Sequence, residues 1–233
     1  MRNLAAFCMK ALIIAAPSMA LAAPIQFTGT FDPANNSGVT GTTTLTVDGD
    51  RLTVVINASG LEPNRNHAQH IHGFANGKQA QCPPPVLPPD IDLNKDGILQ
   101  APEAEIASGP PLVSLVMDPN TQPFLGDNMN FAAYPIADAN GKLTYTQTFT
   151  MNPSVYYPLT LRVVELHGKT LNGAYDPELP VACAELAAVT SGGGNNGGGG
   201  NPVPLPAGVW AGIVTMASAG GVKTLKRLRR MFA

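Results

Sequence analysis

The chain has 233 residues, of which 13% are charged, 24 are glycine and 22 are proline. So much glycine and proline excludes a helical bundle, and the lack of a Gly-X-Y period excludes collagen. Residues 23–222 contain seven of the 14 basic residues and all 16 acidic ones, a net charge of −9 against −2 for the whole chain. This acidic middle argues against binding to nucleic acid.

The first 22 residues predict a secretory signal peptide. Arg2 and Lys10 supply the positive start, Ala11–Ala16 is an apolar run, and Ala20-Leu21-Ala22 fits a small-x-small cleavage site. The alternative is an uncleaved membrane anchor, but the apolar run falls short of the roughly 20 residues that a spanning helix needs. We therefore expect an exported protein located in the periplasm, at the cell surface or outside the cell.

Residues 23–190 carry strand signals at short intervals. Four runs alternate apolar and polar residues and are rich in β-branched side chains: Gly41–Val47, Arg51–Asn57, Lys142–Phe149 and Leu159–His167. Turn sequences such as Asp48-Gly-Asp50 separate them, and the one helical pattern is short, at Pro102–Ser108. The pattern predicts an all-β domain, a Greek-key sandwich or barrel.

Histidine is the first candidate for chemistry. The chain has four, and three of them lie within Asn66–Phe74. On a strand His70 and His72 share a face, because side chains alternate with a period of two. Two adjacent imidazoles can share one metal, and they suit copper, zinc or nickel. His167 is the only imidazole outside this segment that could complete the site. The alternative is a set of hydrogen-bonded, metal-free structural histidines.

Residues 38–73, with the segment His-x-x-His-Ile-His-Gly, resemble the first half of Cu,Zn superoxide dismutases and the related CHRD domain. Leu161–His167 resembles the dismutase strand that carries a late copper ligand, and Leu179–Leu186 resembles the last strand. The resemblance covers about residues 24–190. It implies a superoxide dismutase-like fold with three copper ligands and one non-ligand histidine; the ligands are His70, His72 and His167, and the non-ligand is His67.

The sequence also departs from the dismutase pattern. No histidine lies between residues 73 and 166, so the bridging histidine and the zinc histidines of that family have no counterpart and we predict no zinc site. Pro180 stands where the family has a substrate-guiding arginine, three residues before the last-strand cysteine. These departures argue against superoxide turnover and leave open a three-histidine copper site.

The cysteines predict one disulfide. Cys8 leaves with the signal peptide, so Cys82 and Cys183 are the pair that reaches an oxidising compartment. The resemblance agrees, because family members join the loop after the His-x-His strand to the last strand in this way. The alternative is two free buried thiols.

Residues 92–103 fit the twelve-residue EF-hand calcium loop. The matching residues, with their loop positions, are Asp92 (1), Asn94 (3), Asp96 (5), Gly97 (6), Ile98 through its backbone carbonyl (7), Gln100 through water (9) and Glu103 (12). The prolines of Pro83–Pro89 exclude an entering helix, so we expect a single structural calcium loop within an insertion at 82–111. An acidic surface turn is the alternative. The dismutases place their zinc loop here, which suggests the hypothesis that calcium replaces zinc as its clip.

Residues 191–201 form a Gly/Asn linker, and residues 202–233 follow it with Val203-Pro-Leu-Pro-Ala207, a weak apolar stretch and a basic end. This order resembles the PEP-CTERM (VPLPA-CTERM) sorting signals of bacteria. The resemblance implies a hydrophobic C-terminal helix, at least transient attachment to the membrane, and an exosortase-like processing protease as partner. A plain C-terminal anchor is the alternative, and both leave the acidic domain outside the cell.

Together these features predict an exported, envelope-attached or secreted calcium-binding β-sandwich, a non-enzymatic surface or matrix protein whose partner the sequence does not identify. The alternative is a copper-binding protein or a copper-only superoxide dismutase lacking the zinc site. No Gly-x-Ser-x-Gly, P-loop or His-Glu-x-x-His motif appears, and Glu165, two residues before His167, is weak evidence for acid–base chemistry. The copper hypothesis requires the three imidazoles to converge on one point.

Overall fold

The computed structural model describes residues 23–120 and 129–190. The predicted signal peptide, linker and sorting segment lie outside the described residues. Within them the elements are β1 (Ile25–Pro33), β2 (Thr40–Asp48), β3 (Arg51–Ser59), β4 (Gln69–His72), α1 (Ala101–Ser108), β5 (Pro111–Ser114), β6 (Leu143–Thr150), β7 (Val163–Leu171), β8 (Ala174–Glu185) and β9 (Ala187–Ala188).

All the pairings between these strands are antiparallel, in the order β5-β4-β7-β8-β1-β2-β3-β6, with the short β9 beside β1. β1 joins two halves, because its first residues pair with β2 while Asp32 and Pro33 pair with β8. We call β1-β2-β3-β6 the threonine half and β5-β4-β7-β8 the histidine half. The curled antiparallel sheet confirms the predicted all-β class, of sandwich or barrel type.

The threonine half has one buried face and one largely solvent-facing one. In β3 the alternation buries Leu52, Val54 and Ile56, as the sequence pattern predicts. β6 likewise buries Leu143 and Tyr145, while the threonines between its apolar residues are exposed or half-buried. The buried face of this half packs against residues of β4, β7 and β8 in one apolar core. Burial of this apolar surface is the main favourable term in folding.

The centre of the histidine half is buried on both faces. All four residues of β4 and the first six of β7 are buried. Ile71, Val164 and Leu166 enter the main core, so the residues that alternate with them point to the opposite face. That outer face carries polar side chains, which are rarely buried unless they have a partner or a function.

Residues 73–110, which we call the covering segment, connect β4 to β5 and lie against this outer face. The backbone N–H of Ala80 donates to Leu161, and the backbone N–H of Gln81 donates to Ala107. Cys82 in the covering segment forms a disulfide with Cys183 of β8, as predicted.

The covering segment ends in α1, which confirms the predicted short helix. The side chain of Glu103 accepts the Gln100 backbone N–H at 2.9 Å, which satisfies a donor at the start of the helix. No helix within the described ranges is long and apolar enough to cross a membrane.

One predicted strand begins later than its pattern indicated. The alternation of Leu159, Leu161 and Val163 predicted one strand face, but Leu159–Leu161 is a 3₁₀ turn and β7 begins at Val163. Pro158 precedes the turn and carries no backbone N–H to donate to a neighbouring strand. Leu159 is nevertheless fully buried, so its apolar character reflects packing in the core.

Candidate metal centre

The structure brings together the three histidines of the predicted copper site. His70 and His72 lie on β4, and His167 lies on the neighbouring β7 just after a register shift. Their ring centroids are 5.2 to 5.7 Å apart. One nitrogen from each ring lies within 4.8 Å of the others, and all three side chains are buried. The cluster can bind a metal ion.

Each ring has one nitrogen held by the protein. His72 Nδ1 donates to the Gly109 carbonyl oxygen at 2.9 Å, and His167 Nδ1 donates to the Glu178 carbonyl oxygen at 2.8 Å. A carbonyl oxygen can only accept, so in both neutral rings the proton is on Nδ1 and Nε2 keeps a lone pair.

His70 is held through a hydroxyl chain. Tyr134 Oη donates to Ser114 Oγ at 3.1 Å, so it accepts from His70 Nε2, which is 2.7 Å away. His70 Nδ1 then keeps the lone pair. The three lone-pair nitrogens, His70 Nδ1, His72 Nε2 and His167 Nε2, are buried and have no hydrogen-bond partner. Fixing one ring nitrogen so that the other can bind a metal is the usual arrangement of metal-ligating histidines.

Burial keeps the imidazoles neutral. It lowers the pKa of His72 and that of His167 to about 4, although Glu165 acts in the opposite direction on His167. The pKa of His70 is lowered well below 6.5, first by burial and then by the other two rings. Neutral imidazole is the form that ligates metals, so at neutral pH no proton competes strongly for the three nitrogens.

Glu165 also lies at the cluster, although the sequence analysis assigned it no metal role. It pairs with His70 across β4 and β7 and is 1% exposed. Its Oε2 atom lies 3.6 Å from His72 Nε2 and 3.7 Å from His167 Nε2, which is too far for a hydrogen bond. Neither carboxylate oxygen has a hydrogen-bond partner at normal distance. Burial raises the pKa of this carboxyl, while His167 and the nearby Ser108 hydroxyl, which donates to the Ala104 carbonyl oxygen, act in the opposite direction. The sequence signal that could have found it is the period-two spacing from His167.

His67 has a separate environment. Its Nδ1 is 2.9 Å from the His167 carbonyl oxygen, and its Nε2 is 3.0 Å from the Glu62 carbonyl oxygen. Both ring nitrogens of His67 therefore face protein carbonyl oxygens, and His67 is not part of the three-histidine cluster.

A cavity of about 180 Å³ adjoins the cluster. The three histidines line it together with Ala101 and Met129, and α1 contributes Glu105 to its wall. Burial, then the nearby Glu165 and Glu178, raise the pKa of Glu105, which indicates a negative potential in this region. A cation is therefore better suited to this cavity than an anion.

In the predicted calcium loop, residues 92–103, carboxylates accept hydrogen bonds from backbone N–H groups of the loop itself. Gly97 turns the chain with φ +72°, and α1 begins at loop position ten. Asp92 accepts from Asp96 and Gly97, and Glu103 accepts from Leu93 and Gln100. Within the described part of the chain, the acidic side chains of this loop do not come together as a group of three with ligand atoms within 4.8 Å of one another, as the three histidines do.

Two comparisons with known proteins give no match. A scan against protein-family models gives no match, and a search of curated proteins gives no significant match. The resemblances to dismutases, to CHRD domains and to PEP-CTERM signals therefore stay predictions, and the geometry of the buried histidine cluster carries the functional argument.

Proposed function

We propose that the chain is an exported copper-binding β domain whose ligands are His70, His72 and His167. The observation that carries this proposal is the set of three buried lone-pair nitrogens without protein partners. Each ring is oriented by a hydrogen bond from its other nitrogen, so the site would need little rearrangement to accept an ion.

The donor set supports copper over other ions. Imidazole nitrogens suit copper, zinc and nickel, whereas calcium and magnesium prefer oxygen ligands. Among divalent first-row metals, copper generally binds such a site most tightly. A bound copper ion would supply a one-electron redox centre, and the protein's contribution would be to bind it and to shield it within the covering segment.

We favour binding over superoxide turnover. Superoxide is an anion, and the cavity beside the histidines is walled by Glu105 and adjoins Glu178. Pro180, in the position of the family's guiding arginine, supplies no positive charge. A negative potential slows the approach of an anionic substrate and favours that of a cation. The copper-only dismutase remains the competing proposal, which a superoxide assay of the copper-loaded chain tests directly.

The copper proposal is tested by metal analysis of the purified full chain after exposure to copper and exhaustive dialysis. We expect one copper ion per chain in the parent and loss of that ion in His70→Gln. His67→Gln is the matched control, because it removes an imidazole whose nitrogens already face carbonyl oxygens. A parent that retains no copper, or a His70→Gln variant that retains it fully, contradicts the proposal.

We propose in addition that residues 92–103 bind one structural calcium ion. The observations in favour are the loop spacing, the left-handed turn at Gly97 and the start of α1 at position ten. Glu103 would have to exchange two backbone N–H groups for the ion. Calcium titration should show one ion per chain, weakened at least tenfold in Asp92→Asn; an unchanged affinity in that variant contradicts the proposal.

The location of the protein is also a proposal. Residues 1–22 would direct export, and residues 202–233 would attach the chain to the membrane until an exosortase-like protease processes it. No nucleic acid is expected as a partner, and the surface or matrix partner is unidentified. Mass spectrometry of the mature protein checks both ends: a mature chain that still begins at Met1 contradicts the export proposal.

A further inference from the structure

We infer that Glu165 is a fourth ligand of the metal bound by the three histidines, so that the site takes a divalent ion. This inference rests on the proposed copper site, which it extends by one ligand and by a preference for Cu(II) over Cu(I). It comes from the side-chain geometry of β7, and neither the His-x-His spacing nor the dismutase resemblance implies it.

The Glu165 carboxylate lies close to two of the three histidines. Ligand atoms that share one metal at about 2 Å lie roughly 3–4 Å apart. Glu165 Oε2 lies 3.6 Å from His72 Nε2 and 3.7 Å from His167 Nε2, within that range for both. Among the described residues, the set of ligand atoms mutually within 4.8 Å comprises the three histidines alone, so metal binding would draw the carboxylate closer to His70. Glu165 points to the same face of the sheet as His70, because the two residues are direct partners in the pairing of β7 with β4.

No hydrogen bond at normal distance satisfies the Glu165 carboxylate, whose two oxygens are both buried. The nearby Ser108 hydroxyl, which lowers the pKa of this carboxyl, donates to the Ala104 carbonyl oxygen at 3.0 Å instead. The ring nitrogens His72 Nε2 and His167 Nε2 have lone pairs and no proton to donate. A buried carboxylate without a partner is strongly unfavourable. A single cation bound here would occupy the ring lone pairs and neutralise the charge of the carboxylate.

The distances exclude the simplest alternative, a buried ion pair between the carboxylate and a protonated imidazole. An N–H···O bond to a carboxylate is about 2.7–2.9 Å long, and the observed separations are nearly 1 Å longer. No lysine or arginine compensates the charge of Glu165 either, because within the described ranges its ion-pair distances are to histidines only.

The Glu165 carboxylate would favour the binding of Cu(II) over that of Cu(I). Three neutral imidazoles add no charge, whereas Glu165 adds one negative charge next to the metal. The attraction to a divalent ion is about twice that to a monovalent ion at the same distance. Carboxylate oxygen is also a harder donor that suits divalent ions better than Cu(I). Glu165 therefore acts as a selectivity ligand for Cu(II).

The test compares the parent with Glu165→Gln, using the full chain and copper alone as the probe. Competition with chelators measures affinity for Cu(II), and a parallel series in ascorbate without oxygen measures affinity for Cu(I). We expect Glu165→Gln to weaken Cu(II) binding by about 100-fold and Cu(I) binding by less than about threefold. Asp48→Asn, which removes an exposed carboxylate at the end of β2 outside the cavity wall, is the control and should change neither affinity appreciably.

A spectroscopic measurement on the parent does not depend on how the variant folds. With ¹³C-labelled glutamate, pulsed EPR of the Cu(II) form should detect a directly bound carboxylate, and Glu165→Gln should lose that coupling. Absence of the coupling in the parent, or equal weakening of Cu(II) and Cu(I) in the variant, overturns the inference and leaves the three-histidine site intact. A parent that binds no copper overturns both proposals.

Discussion

The two halves of the sheet use the same strand geometry for different purposes. In the threonine half, one face is apolar and buried while the other carries threonines open to solvent or half-buried. At the centre of the histidine half both faces are buried, and the outer one holds three imidazoles and a carboxylate under the covering segment. Burying polar groups costs free energy unless they are paired.

The two halves differ in how many buried polar atoms lack a hydrogen-bond partner. Every buried side-chain polar group of the threonine half except the Thr43 hydroxyl has a partner, whereas the histidine half leaves five such nitrogen and oxygen atoms unpaired at the metal centre. Natural proteins accept such deficits mainly at functional sites. Substitutions in the threonine half should therefore change stability alone, and those in the histidine half should separate stability from metal binding.

The largest expected effect is the loss of the link between the covering segment and β8. The disulfide of Cys82 with Cys183 closes a loop with a sequence separation of 101 residues. Replacing both cysteines by serine should lower the free energy of unfolding by about 4–5 kcal/mol, because the unfolded chain gains the freedom that the loop removes. Denaturant unfolding measures it, and reduction of the parent is the control. An unchanged unfolding midpoint would show that the covering segment needs no tether.

The next largest effect is expected from a substitution that creates a cavity in the threonine half. Leu45 is fully buried in the main core, and Leu45→Ala should lower the free energy of unfolding by about 3 kcal/mol. Copper affinity of the folded variant should stay within about threefold of the parent. Thr42→Ala, on the exposed face of the same strand, is the control and should change stability by less than about 0.5 kcal/mol. Loss of copper binding in folded Leu45→Ala would break the division between the halves.

Much of the threonine half could be predicted from the sequence. Period-two alternation identified β3 and β6 because each has one buried and one polar face, so the pattern is visible along a single strand. The same reasoning placed Leu159 on a strand, although it lies in a 3₁₀ turn. The first six residues of β7 are all buried, so its sequence shows no alternation of apolar and polar residues that would mark where the strand begins.

The metal centre was predictable only in part. The spacing of His70 and His72 indicated a shared face, and the resemblance supplied His167. Nothing local indicated Gly109 or Tyr134, which orient the rings from 37 and 64 residues away. Glu165 was visible in the sequence, but its lack of any partner is a property of the folded chain. Side chains joined by long-range pairing are beyond periodicity arguments, which concern one element at a time.

A smaller effect of opposite sign is expected at Glu165. Replacing it by methionine should raise the free energy of unfolding of the metal-free chain by about 1–2 kcal/mol, because a buried unpaired carboxylate is removed. Thermal unfolding with and without copper measures the change, and copper should restore the advantage of the parent because a bound ion stabilises the folded state. Glu185→Met, which removes an exposed carboxylate of β8 that accepts the Cys82 backbone N–H, is the control and should give no gain in stability. A destabilised metal-free variant would mean that the carboxylate already has a stabilising role.

The smallest effect concerns the turn before β6. Asp138 accepts the backbone N–H groups of Lys142 and Asn140, each at 2.8 Å, and these bonds lower the pKa of its carboxyl below 3.8, the Lys142 contact most. A lowered folded-state pKa adds stability that is complete above about pH 4 and is lost as pH falls through the folded value. Asp138→Ala should therefore be less stable than the parent at neutral pH, with the difference shrinking in acid. Chemical unfolding across this range measures it, with the exposed Thr144→Ala as a pH-independent control. A stability difference that stays constant into acid would show that Asp138 stabilises the turn through packing and not through the charge of its carboxylate.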